Sequence, residues 1–288
     1  MQDRRADVAS RIKTHLEMVL SPFGGGNVAQ GMRYATLGGK RVRAMLVMES
    51  ARLHGVSDDR SIWPATGIEA MHAYSLVHDD LPCMDDDDMR RGQPTVHVKW
   101  DQATAVLVGD ALQSLAFELV AHPDGAATPE ARAELVLKLA RAAGGQGMVL
   151  GQALDIAAET ADVPLTLEEI TMLQSGKTGA LIEWSATSGA VMAGADITPM
   201  QIYARALGLA FQIQDDVIDV TGSAEAAGKA VGKDAAAGKA TFVSLLGLDA
   251  AKTRAAHLVD QACDALSVYD KDADTLRQIA RFVIARKT

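Results

Sequence analysis

The chain is 288 residues long, with 28 Lys+Arg against 37 Asp+Glu and a formal net charge of −9 at pH 7. That sign argues against a nucleic-acid partner held by a general basic field, and 48% hydrophobic against 23% charged residues excludes a disordered chain. Two cysteines, Cys83 and Cys263, cannot staple a chain of this length, so a cytoplasmic protein with a self-supporting core is expected.

The charged start, Met1 to Asp7, is followed by no apolar core, so no signal peptide is expected. After the break at Pro22 and Gly24-Gly25-Gly26 comes Gly38-Gly39-Lys40-Arg41-Val42-Arg43, which leads into a helix predicted over 41–54. On such a helix Lys40 and Arg43, three apart, would share a face. The 3.6-residue period continues through 64–78, 103–121, 130–143, 168–192, 200–219 and 241–248. In 103–121 the apolar face (Val106, Leu112, Leu115, Leu119) is cut by Asp110, Gln113 and Glu118, so no integral membrane segment is expected. Thr128-Pro129-Glu130 and Thr166-Leu167-Glu168-Glu169 read as helix starts. Between the helices stand short breaks at 55–60, Pro82, 92–94 and 122–129, and the Gly-, Ala- and Lys-rich 221–240 reads as a mobile surface loop. Period-2 alternation is missing and aromatics are only 4%, so the expectation is an all-α helical bundle with an aliphatic core, residues 1–288 forming a single domain.

Two acidic clusters stand out. Asp79, Asp80, Asp85, Asp86, Asp87 and Asp88 place six carboxylates within ten residues, directly after an apolar helical run and just before Arg90-Arg91. Such a run is usually a solvated loop. Its position between a core helix and two arginines points instead to carboxylates at the mouth of a cavity, with Mg²⁺ as the counterion. In the second cluster Asp215 and Asp219 are four apart and share one helix face, while Asp216 lies about 100° round. Together the clusters suggest two helices facing each other across a metal-filled cleft.

The cations are also grouped: Lys40, Arg41 and Arg43; Arg90 and Arg91; Lys177 in Ser175-Gly176-Lys177-Thr178-Gly179; and Lys239 in Gly238-Lys239-Ala240-Thr241. Gly176-Lys177-Thr178 is not a P-loop, because position 171 is Thr171 and no buried strand precedes it. Arginine forks, lysine point charges and carboxylates for metal together describe a pocket for a diphosphate.

These blocks resemble a trans-isoprenyl diphosphate synthase of the polyprenyl synthetase family, in its bacterial farnesyl-forming branch. Asp79, Asp80, Asp85, Arg90, Arg91 and Gly92 match the bacterial first aspartate motif, and Asp215, Asp216 and Asp219 match the second. Gly38 to Arg43, His72 to Asp80, Gly151 to Asp155, Lys177 to Leu181 and Gly238 to Thr241 match further family blocks, in family order. One departure is Ala44, where the family usually has proline; only some rigidity at the helix start would be lost.

The resemblance implies helices around a deep central cavity, a homodimer, and head-to-tail condensation of dimethylallyl or geranyl diphosphate with isopentenyl diphosphate. It implies three Mg²⁺ ions, with Mn²⁺ a possible substitute, on Asp79, Asp85 and Asp215, and with Asp219 a weaker contributor. Arg90, Lys177 and Lys239 would contact the allylic diphosphate; Lys40, Arg43, His72 and Arg91 would hold isopentenyl diphosphate; Thr178 and Gln214 would face the carbocation. Tyr74, five before Asp79 and followed by Ser75, would stop growth at fifteen carbons by steric exclusion. Pro82-Cys83-Met84 also occurs in geranylgeranyl synthases, so a geranylgeranyl or geranyl product is the alternative. A non-catalytic regulatory subunit is a further one, although such subunits typically lose an aspartate motif. Taken alone, His72 would be an ordinary helix histidine, and Asp110 and Asp155 structural hydrogen-bonders.

Overall fold

A computed structural model describes residues 2–160, 163–221 and 240–286. Its backbone contacts divide the chain into two compact units, Met1–Leu137 with Val191–Ala195, and Lys138–Ala190 with Asp196–Thr288.

The first unit opens with α1 (Gln2–Leu20), α2 (Asn27–Ala35), α3 (Val42–Leu53) and α4 (Asp58–Asp79). A two-residue antiparallel hairpin, β1 (Met89–Arg90) with β2 (Gln93–Pro94), precedes α5 (Val96–Lys99) and α6 (Gln102–Ala121). Helix α1 was not among the predicted helices because charged residues crowd it, yet Val8, Ile12, Leu16 and Leu20 form a buried i, i+4 stripe. Helix α4 begins at Asp58, well before the predicted start at 64, and carries Pro64 in its interior. Burial of Ser61, Pro64, Ala65 and Ile68 outweighs the backbone hydrogen bond that proline removes. Helices α4 and α6 approach closely at small residues: a Cβ on Gly109 would lie 2.0 Å from Nε2 of His78. Among the described residues α6 alone is long and apolar enough to cross a membrane, with a mean hydropathy of 1.4, and half of that stretch is buried in the protein.

The second unit takes in α8 (Met148–Glu159), α9 (Leu167–Gln174), most of α10 (Ala180–Ala193), α11 (Thr198–Thr221), α12 (Phe242–Leu246), α13 (Leu248–Ala265) and α14 (Asp274–Ala285); α7 (Pro129–Ala143) precedes them. Both predicted helix starts are present. Thr128 Oγ1 accepts from the Ala131 N–H at 3.1 Å, and Thr166 forms a reciprocal capping box with Glu169. The helix predicted over 168–192 is not continuous: Ser175–Gly179 forms a single π turn between α9 and α10. Gly151 of α8 comes so near that turn that a Cβ on it would sit 2.0 Å from the Lys177 nitrogen. The helix predicted over 241–248 ends at Leu246, because Gly247 with φ of +81° turns the chain into α13. Ile170, Ile213, Val217, Phe242, Ala251 and Ala255 form an aliphatic core with one aromatic ring. The segment 222–239, most of the predicted loop, lies outside the described residues.

Candidate active site

The first aspartate motif begins where α4 ends. The Asp80 N–H still bonds to Leu76 at 3.1 Å, and then the chain folds back so that the Asp85 N–H donates to the Asp79 carbonyl at 2.8 Å. Asp79 and Asp85, six apart, are thereby brought across one turn, the first half-buried and the second exposed. Asp80 faces inward at 3% exposure. Burial pushes its carboxyl up, against the pull of Arg90, whose Nε donates to Oδ1 at 2.6 Å. The hairpin holds Arg90 opposite Gln93, so Arg90, expected on the allylic diphosphate, is ion-paired with Asp80 here and stands 3.6 Å from Asp87.

Beside this motif the same unit gathers its arginines. The expectation that Lys40 and Arg43 share a helix face is corrected by the backbone: the helix starts at Val42, and Arg41 before it is left-handed, with φ of 53°. Lys40 therefore lies on the exposed loop and Arg43 in the first turn of α3. Arg91 also has φ of 53°; its guanidinium lies on Gly39, where a Cβ would be 3.0 Å away, and donates to the Leu37 carbonyl at 3.2 Å. Gly39, at φ of +85°, supplies both the turn and the room. Burial, with the guanidiniums of Arg43, Arg91, Arg90 and Arg41, holds His72 well below its ordinary pKa, so the imidazole is neutral at pH 7. The Nε of Arg43 is buried and has no acceptor among the described residues, which marks a donor suited to an anion.

Tyr74 and His78 occupy the last turns of α4, their rings edge-on at 5.1 Å. Burial pushes the Tyr74 hydroxyl up, with Asp79 and Asp110 adding to it. Ser75 donates its hydroxyl to the His72 carbonyl at 3.0 Å. His78, seated on Gly109 with Nε2 3.0 Å from the Val106 carbonyl, anchors the end of α4 just before the motif. The Gly109 contact was not read from the sequence, since a lone helical glycine carries no signal of what packs on it.

In the second unit the π turn presents Lys177 and Thr178, both half-buried. Lys177 Nζ meets Asp155 Oδ2 at 2.7 Å, one helical turn beyond Gly151. Gln152, beside them, keeps a buried Nε2 without a partner among the described residues. On α11 Asp215 is exposed and pairs with Arg286 at 2.7 Å. Asp216 accepts from the Phe242 N–H at 2.7 Å and so caps α12, while Asp219 lies on the same helix face as Asp215. Gln214, expected to face the carbocation, is 8% exposed and donates to the Arg286 carbonyl at 3.3 Å. Arg286, which the sequence reading passed over, also stacks on the Phe211 ring at 3.8 Å. Lys239 lies outside the described residues.

Among the described residues no three or more His, Cys, Asp or Glu side chains gather into a metal-holding group. The oxygen-only donors of Asp79, Asp85, Asp215 and Asp219 nonetheless fit Mg²⁺, which commonly takes one or two protein carboxylates and completes its shell with water and substrate phosphate. In class this is an all-α protein whose arginines close on a neutral histidine beside paired aspartates, an arrangement for an anionic ligand. The family model for polyprenyl synthetases matches residues 27–280. The farnesyl diphosphate synthase of Escherichia coli is 43% identical over 277 residues, covering 92% of this chain and 91% of that protein. A chloroplastic geranylgeranyl pyrophosphate synthase of Capsicum annuum is 39% identical, over 90% of this chain and 71% of its own length. The crystal structure of an FPP/GFPP synthase from Zymomonas mobilis superposes with a TM-score of 0.90 at 44% identity, covering 98% of each chain. The chain belongs to the polyprenyl synthetase family.

Proposed function

We propose that this protein is a prenyltransferase that joins dimethylallyl or geranyl diphosphate to isopentenyl diphosphate and releases farnesyl diphosphate and diphosphate. The observation that carries the reading is the arginine cluster around neutral His72 beside the first aspartate motif, in a chain 43% identical over 277 residues to a farnesyl diphosphate synthase. The whole chain acts as one synthase domain, since the family match runs through residues of both units.

Lys40, Arg43, His72 and Arg91 bind the diphosphate of isopentenyl diphosphate; the orphaned Nε of Arg43 is a donor in need of such an acceptor. Asp79 and Asp85 of the first unit and Asp215 and Asp219 of the second would hold Mg²⁺, up to three ions, which would supply positive charge to stabilise the allylic diphosphate as a leaving group. Arg90, Lys177 and Lys239 add donors to that leaving group. For Arg90 and Lys177 this requires exchanging a carboxylate partner, Asp80 or Asp155, for phosphate oxygen. Thr178 and Gln214 turn oxygen dipoles toward the cation without the nucleophilicity that would trap it. The isopentenyl double bond then attacks the allylic carbon, and a proton leaves the new chain to the released diphosphate. A homodimer belongs to the same reading, and the acidic chain with two unpaired thiols suits a cytoplasmic setting.

The test is chromatography of products formed from isopentenyl diphosphate and geranyl diphosphate with Mg²⁺. A fifteen-carbon main product is expected. A twenty-carbon main product would replace the farnesyl reading with the geranylgeranyl one, and no condensation at all would refute the enzyme.

A further inference from the structure

Glu69 lies on α4 one turn before His72, buried to 4% exposure, and both of its oxygens are directed at the start of α3. Oε2 accepts from Nη1 of Arg41 at 3.0 Å, and Oε1 accepts from the backbone N–H of Ala44 at 3.0 Å. Ala44 is the third residue of α3, where a backbone N–H has no partner within its own helix. A carboxylate from α4 thus caps α3 and places negative charge at the positive end of that helix. Arg41 spans the joint: its other terminal nitrogen donates to the Thr36 carbonyl at 2.5 Å, and the residue is held in a left-handed conformation that non-glycine residues rarely adopt. Arg43, two residues on, and Arg91 both feel the Glu69 charge.

We propose that Glu69 is the positioning residue of the isopentenyl diphosphate subsite: by tying Arg41 to the first turn of α3, it holds Arg43 and Arg91 in place for the diphosphate. This rests on the reading of the arginine cluster given above. Position 44 sharpens the case, because a proline there has no N–H for Glu69. With alanine, this chain gives Glu69 a second contact at the start of α3.

The sign of the effect separates positioning from a mere nearby charge. Deleting a carboxylate beside an anion site strengthens anion binding by Coulomb's law, whereas deleting a positioning residue weakens it. Isopentenyl diphosphate binding is measured by calorimetry on the wild type, Glu69→Gln and Arg43→Gln, alongside steady-state kinetics. Both variants are expected to weaken binding, Glu69→Gln by about tenfold, equivalent to roughly 1.4 kcal/mol. The KM for isopentenyl diphosphate should rise while the KM for geranyl diphosphate and the kcat of Glu69→Gln hold. If Arg43→Gln weakens binding and Glu69→Gln leaves it equal or tighter, the positioning role is overturned and the subsite stands. If neither weakens it, the subsite reading falls, and the inference with it. Should Glu69→Gln fail to fold, Arg41→Lys keeps the charge and loses the fork. The same selective rise in KM is then expected, and an unchanged KM overturns the proposal.

Discussion

Ala44 shows how a single backbone N–H can decide the effect of a substitution. Proline in the first turn of a helix normally loses nothing, because that N–H is unpaired. Here Glu69 accepts from it, so Ala44→Pro strands a buried carboxylate oxygen. The loss, about 1–3 kcal/mol, exceeds the roughly 0.4–1 kcal/mol that proline gains by restricting the unfolded chain. Ala44→Pro should therefore lower the thermal midpoint by a few degrees in calorimetry. Tyr74→Ala should lengthen the product, visible as longer prenyl alcohols on chromatography after phosphatase treatment; an unaltered profile would remove Tyr74 as the barrier. Asp79→Ala should cut turnover by orders of magnitude with the helical circular dichroism intact, and near-normal turnover would end its role as a metal ligand. The chemistry-bearing residues were legible in the sequence because their types and spacings are local. Glu69 and Arg286 were not, because a lone charged residue carries no sign of which distant backbone it will meet.

Among the elements, the π turn at Ser175–Gly179 separates what periodicity can see from what it cannot. Residues 168–192 keep an apolar period that α9 and α10 both satisfy, so the pattern alone reads as one helix. The extra residue in the turn goes with close packing of α8, whose Gly151 touches the backbone at Lys177. Gly151→Ala would set a Cβ against backbone rather than against a yielding side chain. Overpacking of this kind costs about 1–3 kcal/mol or more. Asp155, one turn along α8, would be carried off with Lys177's partner oxygen. A lowered urea midpoint together with lost turnover is expected; wild-type values for both would show that α8 does not govern the π turn. The capping box at Thr166 needed no such partner and was readable directly, because its hydrogen bonds close within four residues.

For the molecule as a whole, pH acts through a half-buried histidine on α1. His15 of α1 has its Nδ1 2.8 Å from Thr66 Oγ1 and sits edge-on to Trp63, which in turn stacks on His122 at 3.4 Å. Burial, aided by the charge of His122, lowers its pKa to about 4 from the ordinary 6.5. The folded state thus prefers neutral His15 while the unfolded chain protonates readily. The stability this supplies is complete above about pH 6.5 and is lost as pH falls toward about 4. Urea midpoints measured between pH 7 and 4.5 should fall, and His15→Gln should flatten the fall; an identical slope in the variant would clear His15 of the effect.

By itself the sequence determined the all-α class, the family and the acidic and basic residues of the proposed site, since helix period, capping and motif spacing are short-range properties of the chain. Tertiary structure alone decided the partners: Asp80 with Arg90, Lys177 with Asp155, Asp215 with Arg286, and Glu69 with the start of α3. Those pairs join segments that are ten to more than seventy residues apart. A charge acts through distance in space, and only the packed backbone sets that distance.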